Sequence, residues 1–326
     1  MKVLLTGANG FVGSHILDRL CTRGFESAVL LRPASSRQFL ESNLARVEVQ
    51  LGSLGDEASL REALRGVTHV IHTAGCTKAL RTREFYAVNQ AGTRALVQAI
   101  AAQGGRVRRL VHISSQAAVG PAGADRPARE EDEPAPVSEY GRSKLAGEAE
   151  VKDSQTEWVI LRPPAVYGPR DTDFLRVFKA IRAHLLLYFD RGSQALSFAY
   201  VKDLANACVE CLRHPAAAGR IYNVAGDDVV TARTLAEMIA GLMKTWTMPL
   251  PLPGALLWPV CVGQDLLSRL KGRPNVLSRQ KYLELRASGW VCDTTRLRQE
   301  TGIRCPTPLL AGLAETLDWY RREGWL

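Results

Sequence analysis

The most informative stretch of this sequence is residues 2–13, KVLLTGANGFVG, in which an apolar run leads into a turn with three evenly spaced glycines. The amphipathic stretch Ser14–Thr22 follows directly. Gly7 allows a sharp turn, Gly10 lets the backbone approach an anion, and Gly13 lets a strand and a helix pack closely. The free N–H groups at the start of the helix face the same point. The stretch therefore predicts a binding site for the diphosphate of a dinucleotide.

The alternation of apolar runs and amphipathic stretches continues down the chain. After Lys2–Leu5, apolar runs are found at Ser27–Leu31, Val47–Leu51, Val67–His72, Arg109–Ser114 and Glu157–Leu161. After Ser14–Thr22, helical spacing of apolar residues is found at Ala58–Leu64, Phe85–Ala102 and Ser138–Val151. The runs are apolar at consecutive positions, as in strands covered by helices on both faces. This pattern predicts an α/β fold with a doubly wound parallel (Rossmann) sheet.

The pattern changes after Tyr167-Gly168-Pro169, where shorter helical and strand-like stretches alternate. No internal repeat is present. We expect a dinucleotide-binding Rossmann domain at residues 1–166 and a smaller mixed α/β substrate-binding lobe at residues 167–326. Within that lobe, we expect Ala195–Ala207 to return to the Rossmann sheet.

Composition excludes several classes of protein. The chain has 326 residues, of which 46% are apolar and 23% charged, so it is neither disordered nor a coiled coil. The 42 Lys and Arg residues outnumber the 33 Asp and Glu residues, which gives a net charge of +9. Such a charge attracts anions in general. Because basic clusters interleaved with aromatic residues and helix-turn-helix or zinc-finger signatures are absent from the sequence, we predict no nucleic-acid partner.

Cysteine, histidine and proline positions bear on the compartment and on metals. Seven cysteines are too few for a disulfide framework in a chain of this length. An apolar strand-like run begins almost at residue 1, so we expect no targeting segment. The charge-free stretch Thr245–Gln264 is interrupted by prolines and glycines, so no transmembrane segment is predicted.

The histidines lack the spacing of metal ligands, and Cys208 and Cys211 suit a buried helix face better than zinc or redox chemistry. We expect a cytoplasmic protein without a metal site.

The residues after the second strand bear on the choice of cofactor. An enzyme that uses NAD commonly has a carboxylate there, which binds the ribose 2′-hydroxyl. This chain instead has Arg32, followed by Ser35 and Arg37. A guanidinium with nearby hydroxyls suits a 2′-phosphate. We therefore predict that NADP(H) is preferred, with NAD(H) as the alternative.

A phenol and an ammonium group stand one helical turn apart in the segment Tyr140-Gly141-Arg142-Ser143-Lys144. A neighbouring cation, reinforced by an oxidised nicotinamide, is expected to lower the pKa of the phenol and to make it a usable acid–base group. Ser115 follows the fifth predicted strand, at the sheet edge where open α/β sheets bind ligands. Its hydroxyl could hold a reacting oxygen.

Four segments carry a resemblance to a known family: TGANGFVG at 6–13, HISS at 112–115, YGRSK at 140–144 and RPPAVYGP at 162–169. With these motifs the chain resembles the extended short-chain dehydrogenase/reductase superfamily of NAD-dependent epimerases and dehydratases. It is nearest to the branch of 3β-hydroxysteroid dehydrogenases and dihydroflavonol reductases. The resemblance covers nearly the whole chain, including Ser197–Ala207.

The resemblance implies roles for individual residues. It implies Ser115, Tyr140 and Lys144 as the catalytic triad, with Tyr140 exchanging a proton with the substrate while hydride moves to or from the nicotinamide. Asn89 matches a position that these folds often carry near the site. Together with the residues singled out above, the expected cofactor contacts are Gly7, Asn9, Gly10, Phe11, Val12, Gly13, Arg32, Ser35, Arg37, Ser53, Leu54, Thr73, Ala74, Gly75, Tyr140, Lys144, Pro163, Ala165 and Val166.

Departures from the family pattern reduce the number of family activities that we expect of this chain. Sugar-nucleotide members generally have asparagine where this chain has Ala165, which weakens the epimerase alternative. The 4,6-dehydratases have an Asp-Glu pair where this chain has Gln116-Ala117, so dehydration is not expected. Ser53 replaces an acid that usually contacts adenine, which puts that one contact in doubt.

The second lobe contains an apolar stretch, Met248–Val262. It suits a connection packed in the core, the lip of an apolar pocket, or shallow contact with a membrane. The last two of these would fit a hydrophobic substrate.

Three functions are compatible with these features. The leading hypothesis is an oxidoreductase that interconverts a ketone and a secondary alcohol on a small, largely apolar molecule, with Tyr140 as acid–base. The alternative is a nucleotide-sugar epimerase or reductase with tightly bound NAD(P). A redox-sensing binding module is disfavoured, because it does not need Ser115, Tyr140 and Lys144 together. The resemblance also implies a homodimer that pairs through Phe85–Ala102 and Ser138–Val151.

Overall fold

The computed structural model describes residues 1–189, 192–252, 254–271 and 279–326 of the chain. Its strands are β1 (Lys2–Thr6), β2 (Glu26–Leu31), β3 (Glu48–Leu51), β4 (His69–His72), β5 (Arg109–Ile113), β6 (Glu157–Arg162), β7 (Ala165–Tyr167), β8 (Leu185–Phe189), β9 (Ala195–Tyr200), β10 (Arg220–Asn223), β11 (Val229–Thr231), β12 (Met248–Leu252) and β13 (Gly289–Trp290). Its helices are α1 (Phe11–Thr22), α2 (Glu57–Ala63), α3 (Thr82–Tyr86), α4 (Thr93–Ala101), α5 (Glu139–Lys152), α6 (Thr172–Arg182), α7 (Val201–Cys211), α8 (Ala232–Met243), α9 (Gly254–Lys271), α10 (Arg279–Leu285), α11 (Thr295–Thr301) and α12 (Leu309–Arg322).

The central sheet has seven parallel strands in the order β10-β6-β5-β4-β1-β2-β3. The chain moves outward from β1 in one direction through β2 and β3, and in the other through β4, β5 and β6. The strand order therefore reverses between β1 and β4, which is where such sheets form a ligand crevice at the carboxyl ends of their strands. The predicted doubly wound Rossmann fold is confirmed.

Two apolar layers cover the sheet, which explains why its strands are apolar at consecutive positions. Alternate residues of β1 show this: Val3 and Leu5 pack on the face covered by α1 and α7, whereas Leu4 packs on the face covered by α2 and α4. Each of the three side chains is fully buried. Burial on both faces fixes the register of the strands, because a shift by one residue would exchange the two layers.

The prediction that Ala195–Ala207 returns to the Rossmann sheet is wrong for its strand. β9 pairs with β7, β11 and β13 in a separate sheet, and β10 is the strand that joins the Rossmann sheet, beside β6. Only the helix that follows β9 packs against the first domain, where α7 contacts α1. The reason is non-local, because the choice of neighbour for a strand depends on surfaces far away in the sequence.

The second lobe has its own core, in which aromatic side chains of the sheet around β9, of α6 and of α12 pack with aliphatic side chains of α8 and α12. Tyr167, Phe174 and Phe198 form one group of ring contacts, and Phe178 contacts Tyr320 edge to face. Because β7 begins only three residues after β6 ends, the chain passes directly from the Rossmann sheet into this lobe. The edge that carries the predicted site therefore lies against the second lobe.

Candidate active site

The glycine turn is shaped so that side chains are excluded from it. Gly7 has φ of 74°, and a Cβ there would lie 2.6 Å from the backbone nitrogen of Ala74. A Cβ on Gly13 would lie 2.1 Å from the carbonyl oxygen of Gly7. Gly10 is the N-cap of α1 and provides no side-chain cap, so the first N–H groups of the helix are left for another acceptor. These features fit a dinucleotide diphosphate.

The other residues expected to contact the cofactor follow the carboxyl ends of successive strands. Thr73 donates to the carbonyl oxygen of Thr6 at 2.8 Å, which ties the segment after β4 to the turn. Ser53, after β3, is half-buried, and its backbone N–H donates to Ser59 Oγ at 3.1 Å. Among the other expected cofactor contacts at these strand ends, six are half-buried: Asn9, Phe11, Val12, Leu54, Ala74 and Val166. Pro163 is buried, and Gly75 and Ala165 are exposed. The parallel sheet thus brings all of them to one edge.

The residues after β2 form a polar turn. Ser35 donates its backbone N–H to the carbonyl oxygen of Arg32 at 2.9 Å. Arg32 and Arg37 are exposed, whereas the buried Ser35 Oγ has no hydrogen-bond partner among the described residues. A buried hydroxyl without a partner, in a turn that also carries two exposed arginines, fits an anionic ligand group.

Ser115, Tyr140 and Lys144 meet at the end of β5. Ser138 caps α5 by accepting the N–H of Gly141 at 3.1 Å, so Tyr140 lies in the first turn of the helix and Lys144 in the second. The Ser115 side chain lies close enough to the Tyr140 hydroxyl to act on its pKa. The buried Lys144 Nζ donates to the carbonyl oxygen of Ile113 at 2.6 Å. The three side chains that the sequence singled out are therefore adjacent.

Burial dominates the acid–base properties of this group. It raises the pKa of Tyr140 to about 12, and the nearby Ser115 side chain opposes that rise. It lowers the pKa of Lys144 to about 8, and the negative charge of Glu148 opposes that change. The sequence led us to expect a lowered tyrosine pKa, but in this structure the loss of solvation is the larger effect. Tyr140 is therefore a phenol that keeps its proton at neutral pH.

Asn89 connects two of the segments that form the candidate site. Its side chain accepts from the N–H of Cys76 at 2.8 Å and donates to Ser143 Oγ at 2.8 Å, which links the segment after β4 to α5. Asn89 lies in a π-helical segment, Ala87–Gly92, that interrupts the helix predicted at Phe85–Ala102. A Cβ on Gly147 would lie 2.3 Å from the carbonyl oxygen of Asn89, so α5 packs directly on this segment.

A buried ion pair lies one turn beyond Lys144. Arg162, the last residue of β6, donates to both carboxylate oxygens of Glu148, at 2.9 and 2.6 Å. Ser114 Oγ donates to the same carboxylate at 2.6 Å. Both charged side chains are almost completely buried. This network fixes α5 against the carboxyl ends of β5 and β6.

Two buried histidines with adjacent rings lie near Lys144. The rings of His72 and His112, on neighbouring strands, are 5.2 Å apart. His72 is bonded to Thr6 and Thr93, but neither ring nitrogen of His112 has a partner among the described residues. Burial, followed by the charge of Lys144, lowers the pKa of both rings, which are therefore neutral at pH 7.

Sequence reasoning missed two groups near Tyr140. Cys76 follows Gly75, and the Glu284 carboxylate, on α10, accepts from Ser138 Oγ at 2.7 Å. The negative charges that Glu284 and the Cys76 thiolate would carry both act to raise the pKa of Tyr140. The position of Cys76 just after a predicted contact could have identified it. No sequence signal could have identified Glu284, because 144 residues separate it from Tyr140.

Comparisons with known proteins agree with this geometry. The chain is 32% identical to ceramide reductase of Caulobacter vibrioides over 99% of this chain and 96% of that protein. It is 30% identical to sterol demethylase protein B of Methylococcus capsulatus over the full length of both. It superimposes with a TM-score of 0.78 and 26% identity on the UDP-glucose 4-epimerase of Thermus thermophilus, whose crystal structure is a complex with NAD, over 98% of this chain and 99% of that one.

The family comparison gives the same assignment. A profile of the NAD dependent epimerase/dehydratase family matches residues 3–225, which include the glycine turn and the Ser115, Tyr140 and Lys144 group. Members of this family are NAD-dependent enzymes of the extended short-chain dehydrogenase/reductase type. The chain therefore belongs to the NAD-dependent epimerase/dehydratase family.

Proposed function

We propose that this protein is an NADP(H)-dependent oxidoreductase that reduces a ketone to a secondary alcohol on a small, largely apolar substrate. The observation that carries the proposal is the state of Tyr140. Its hydroxyl lies beside the Ser115 side chain at the end of β5, and burial raises its pKa to about 12. A phenol that keeps its proton at neutral pH is suited to donate it to a developing alkoxide.

The three side chains have separate tasks in this reaction. Ser115 Oγ and the Tyr140 hydroxyl donate hydrogen bonds to the carbonyl oxygen, which polarises it. Tyr140 then gives its proton to that oxygen, and the Lys144 ammonium stabilises the phenolate that is left. When bound, the reduced nicotinamide supplies the hydride for the carbonyl carbon. Lys144 is held for its task by the Ile113 carbonyl oxygen at 2.6 Å.

The preference for NADP(H) is supported by the turn after β2. Arg32 and Arg37 present guanidinium groups to solvent, and the buried Ser35 Oγ has no partner among the described residues. These groups would bind a 2′-phosphate, which a carboxylate at the same position would repel.

The apolar substrate class is supported by two further observations. Ala165 offers no side-chain donor where sugar-nucleotide enzymes of this type generally have asparagine, and it is exposed at the edge of the site. Ceramide reductase and sterol demethylase protein B, which are similar to this chain over nearly its whole length, are named for apolar lipids.

A nucleotide-sugar epimerase is the second candidate, because the chain also resembles the UDP-glucose 4-epimerase of Thermus thermophilus. The test is a panel of long-chain ketones, steroid ketones and UDP-sugars, followed by nicotinamide absorbance and by sugar analysis. We expect NADPH consumption with apolar ketones only. Epimerisation of a UDP-sugar without added nicotinamide, by protein that retains its cofactor through gel filtration, would overturn the proposal.

A further inference from the structure

The side of α9 that faces solvent is apolar, whereas the solvent-facing side of a helix in a globular protein is normally polar. Leu257, Cys261 and Ser268 are buried and face the protein. The positions two residues further along, Pro259, Gly263 and Leu270, are exposed, as is Leu266, one helical turn before Leu270; Leu270 is 77% exposed. An offset of two residues is about half a helical turn. An uninterrupted apolar stripe therefore faces solvent, opposite the buried side of α9.

Aromatic and basic groups border this stripe. Trp258, on α9, contacts Tyr282, on α10, with their ring centroids 5.0 Å apart. The guanidinium of Arg286 lies 5.5 Å from the centroid of the Tyr282 ring. Trp258 is 45% exposed. Such aromatic side chains beside a cation are typical of proteins that lie in the interface between lipid headgroups and acyl chains.

The charge of the region favours one kind of partner. The described residues 254–271 and 279–286 include five Lys and Arg against two acids, a net charge of +3. One of the acids, Glu284, already accepts hydrogen bonds from Ser138 and Lys281. A second copy of this chain would place the same positive charge against itself, whereas an acidic bilayer would attract it.

We propose that the exposed apolar stripe of α9, defined by Pro259, Gly263, Leu266 and Leu270, docks on the surface of a bilayer that contains acidic lipids. The docking is peripheral: among the described residues, no helix combines the length and the apolar character that a bilayer crossing requires. The leucines enter the acyl boundary, and the excess of Lys and Arg over acids in α9 and α10 attracts the anionic headgroups.

α9 is connected to the candidate active site through α10. α9 packs on α10, whose Glu284 is bonded to Ser138, the N-cap of the helix that carries Tyr140. Docking would therefore bring a bilayer, in which an apolar ketone dissolves, to a helix that is connected to the site through α10. This consequence, unlike the docking itself, rests on the proposed function.

The test is sedimentation of the full-length protein with vesicles of phosphatidylglycerol and phosphatidylcholine, and with vesicles of phosphatidylcholine alone. We expect strong binding to the first, weak binding to the second, and loss of binding at high salt. Leu270→Glu should lower the partition coefficient by about tenfold and Leu266→Glu/Leu270→Glu further still, since each introduces a charge into the apolar contact. The matched control is Leu310→Glu, at a leucine of α12 that is 48% exposed and lies outside the stripe.

Three results would overturn the proposal: no sedimentation of the unmodified protein with acidic vesicles, equal binding by Leu270→Glu and Leu310→Glu, or a dimer in solution that Leu266→Glu/Leu270→Glu dissociates. Thermal unfolding of each variant shows whether it is folded. Because sedimentation does not depend on turnover, an inactive protein that binds vesicles would contradict the proposed function and leave the docking surface standing.

Discussion

Lys144 donates a hydrogen bond from its ammonium to the carbonyl oxygen of Ile113, 2.6 Å away. This contact joins the second turn of α5 to the last residue of β5. It holds a cation at the carboxyl edge of the sheet, one turn from Tyr140, where burial lowers the lysine pKa to about 8. The fold thus determines where this ammonium group lies relative to the Tyr140 hydroxyl.

Replacing Tyr140 by phenylalanine removes the proton donor but keeps the shape of the site. We expect kcat for ketone reduction to fall by about 100-fold or more, with little change in NADPH affinity measured by fluorescence titration. Tyr86→Phe is the matched control, because that phenol donates to Glu139 at 3.0 Å on the neighbouring helix. Near-normal turnover by Tyr140→Phe would exclude it as the acid.

Lys144 is expected to set the upper pH limit of ketone reduction. Its pKa of about 8 means that the ammonium is lost above that pH, whereas Tyr140, with its pKa raised to about 12, keeps its proton. kcat/KM should be level below pH 8 and fall by about tenfold per pH unit above it. Lys144→Met should be slow at every pH and lack this inflection; an unchanged inflection would assign it to another group.

Replacing Arg32 by aspartate should exchange the cofactor preference. A charge-assisted hydrogen bond to the 2′-phosphate would be lost, and the new carboxylate could accept from a ribose hydroxyl. We expect NADPH binding, measured by calorimetry, to weaken by about tenfold or more, with NADH binding unchanged or tighter. The control is Arg61→Asp, which makes the same charge change at an exposed position of α2. Tighter binding of NADH than NADPH by the unmodified protein would contradict the preference.

Removing one partner of the buried Glu148–Arg162 pair should be costly. Arg162→Met leaves the buried carboxylate with Ser114 at 2.6 Å and Lys152 at 3.9 Å. We expect the free energy of unfolding in urea to fall by about 3–5 kcal/mol. The double variant Glu148→Leu/Arg162→Met should lose much less, because no charge is left buried. A double variant as unstable as the sum of the single variants would show that the two side chains do not act as a pair.

Buried histidines should make the protein sensitive to acid. Burial lowers the pKa of His15 to about 4 and of His72 to about 3, and it places that of His112 well below the usual 6.5. Because the unfolded chain binds these protons first, their contribution to stability is complete above pH 6.5 and is lost as the pH falls toward the folded values. Chemical unfolding at several pH values should show this decline, and His112→Leu should make it less steep. An equally steep decline in that variant would exclude His112 as a contributor.

The local sequence determined most of the sheet and the centre of the candidate site. Glycine spacing fixed the turn at residues 6–13, consecutive apolar residues predicted β1 to β6, and the spacing of Tyr140 and Lys144 put both on one helix face. These features depend on neighbours within a few residues, which is the range over which backbone conformation and side-chain periodicity act.

Tertiary structure decided what depends on distant residues. β10 joins the Rossmann sheet in place of β9, and Glu284 reaches Ser138 from another helix, because strand pairing and docking depend on surfaces that no short segment contains. The raised pKa of Tyr140 is likewise a result of burial, which the spacing of Tyr140 and Lys144 does not reveal. The exposure of the apolar stripe of α9 was likewise decided by tertiary structure, since composition alone gives the same apolar residues whether they face the core or the solvent.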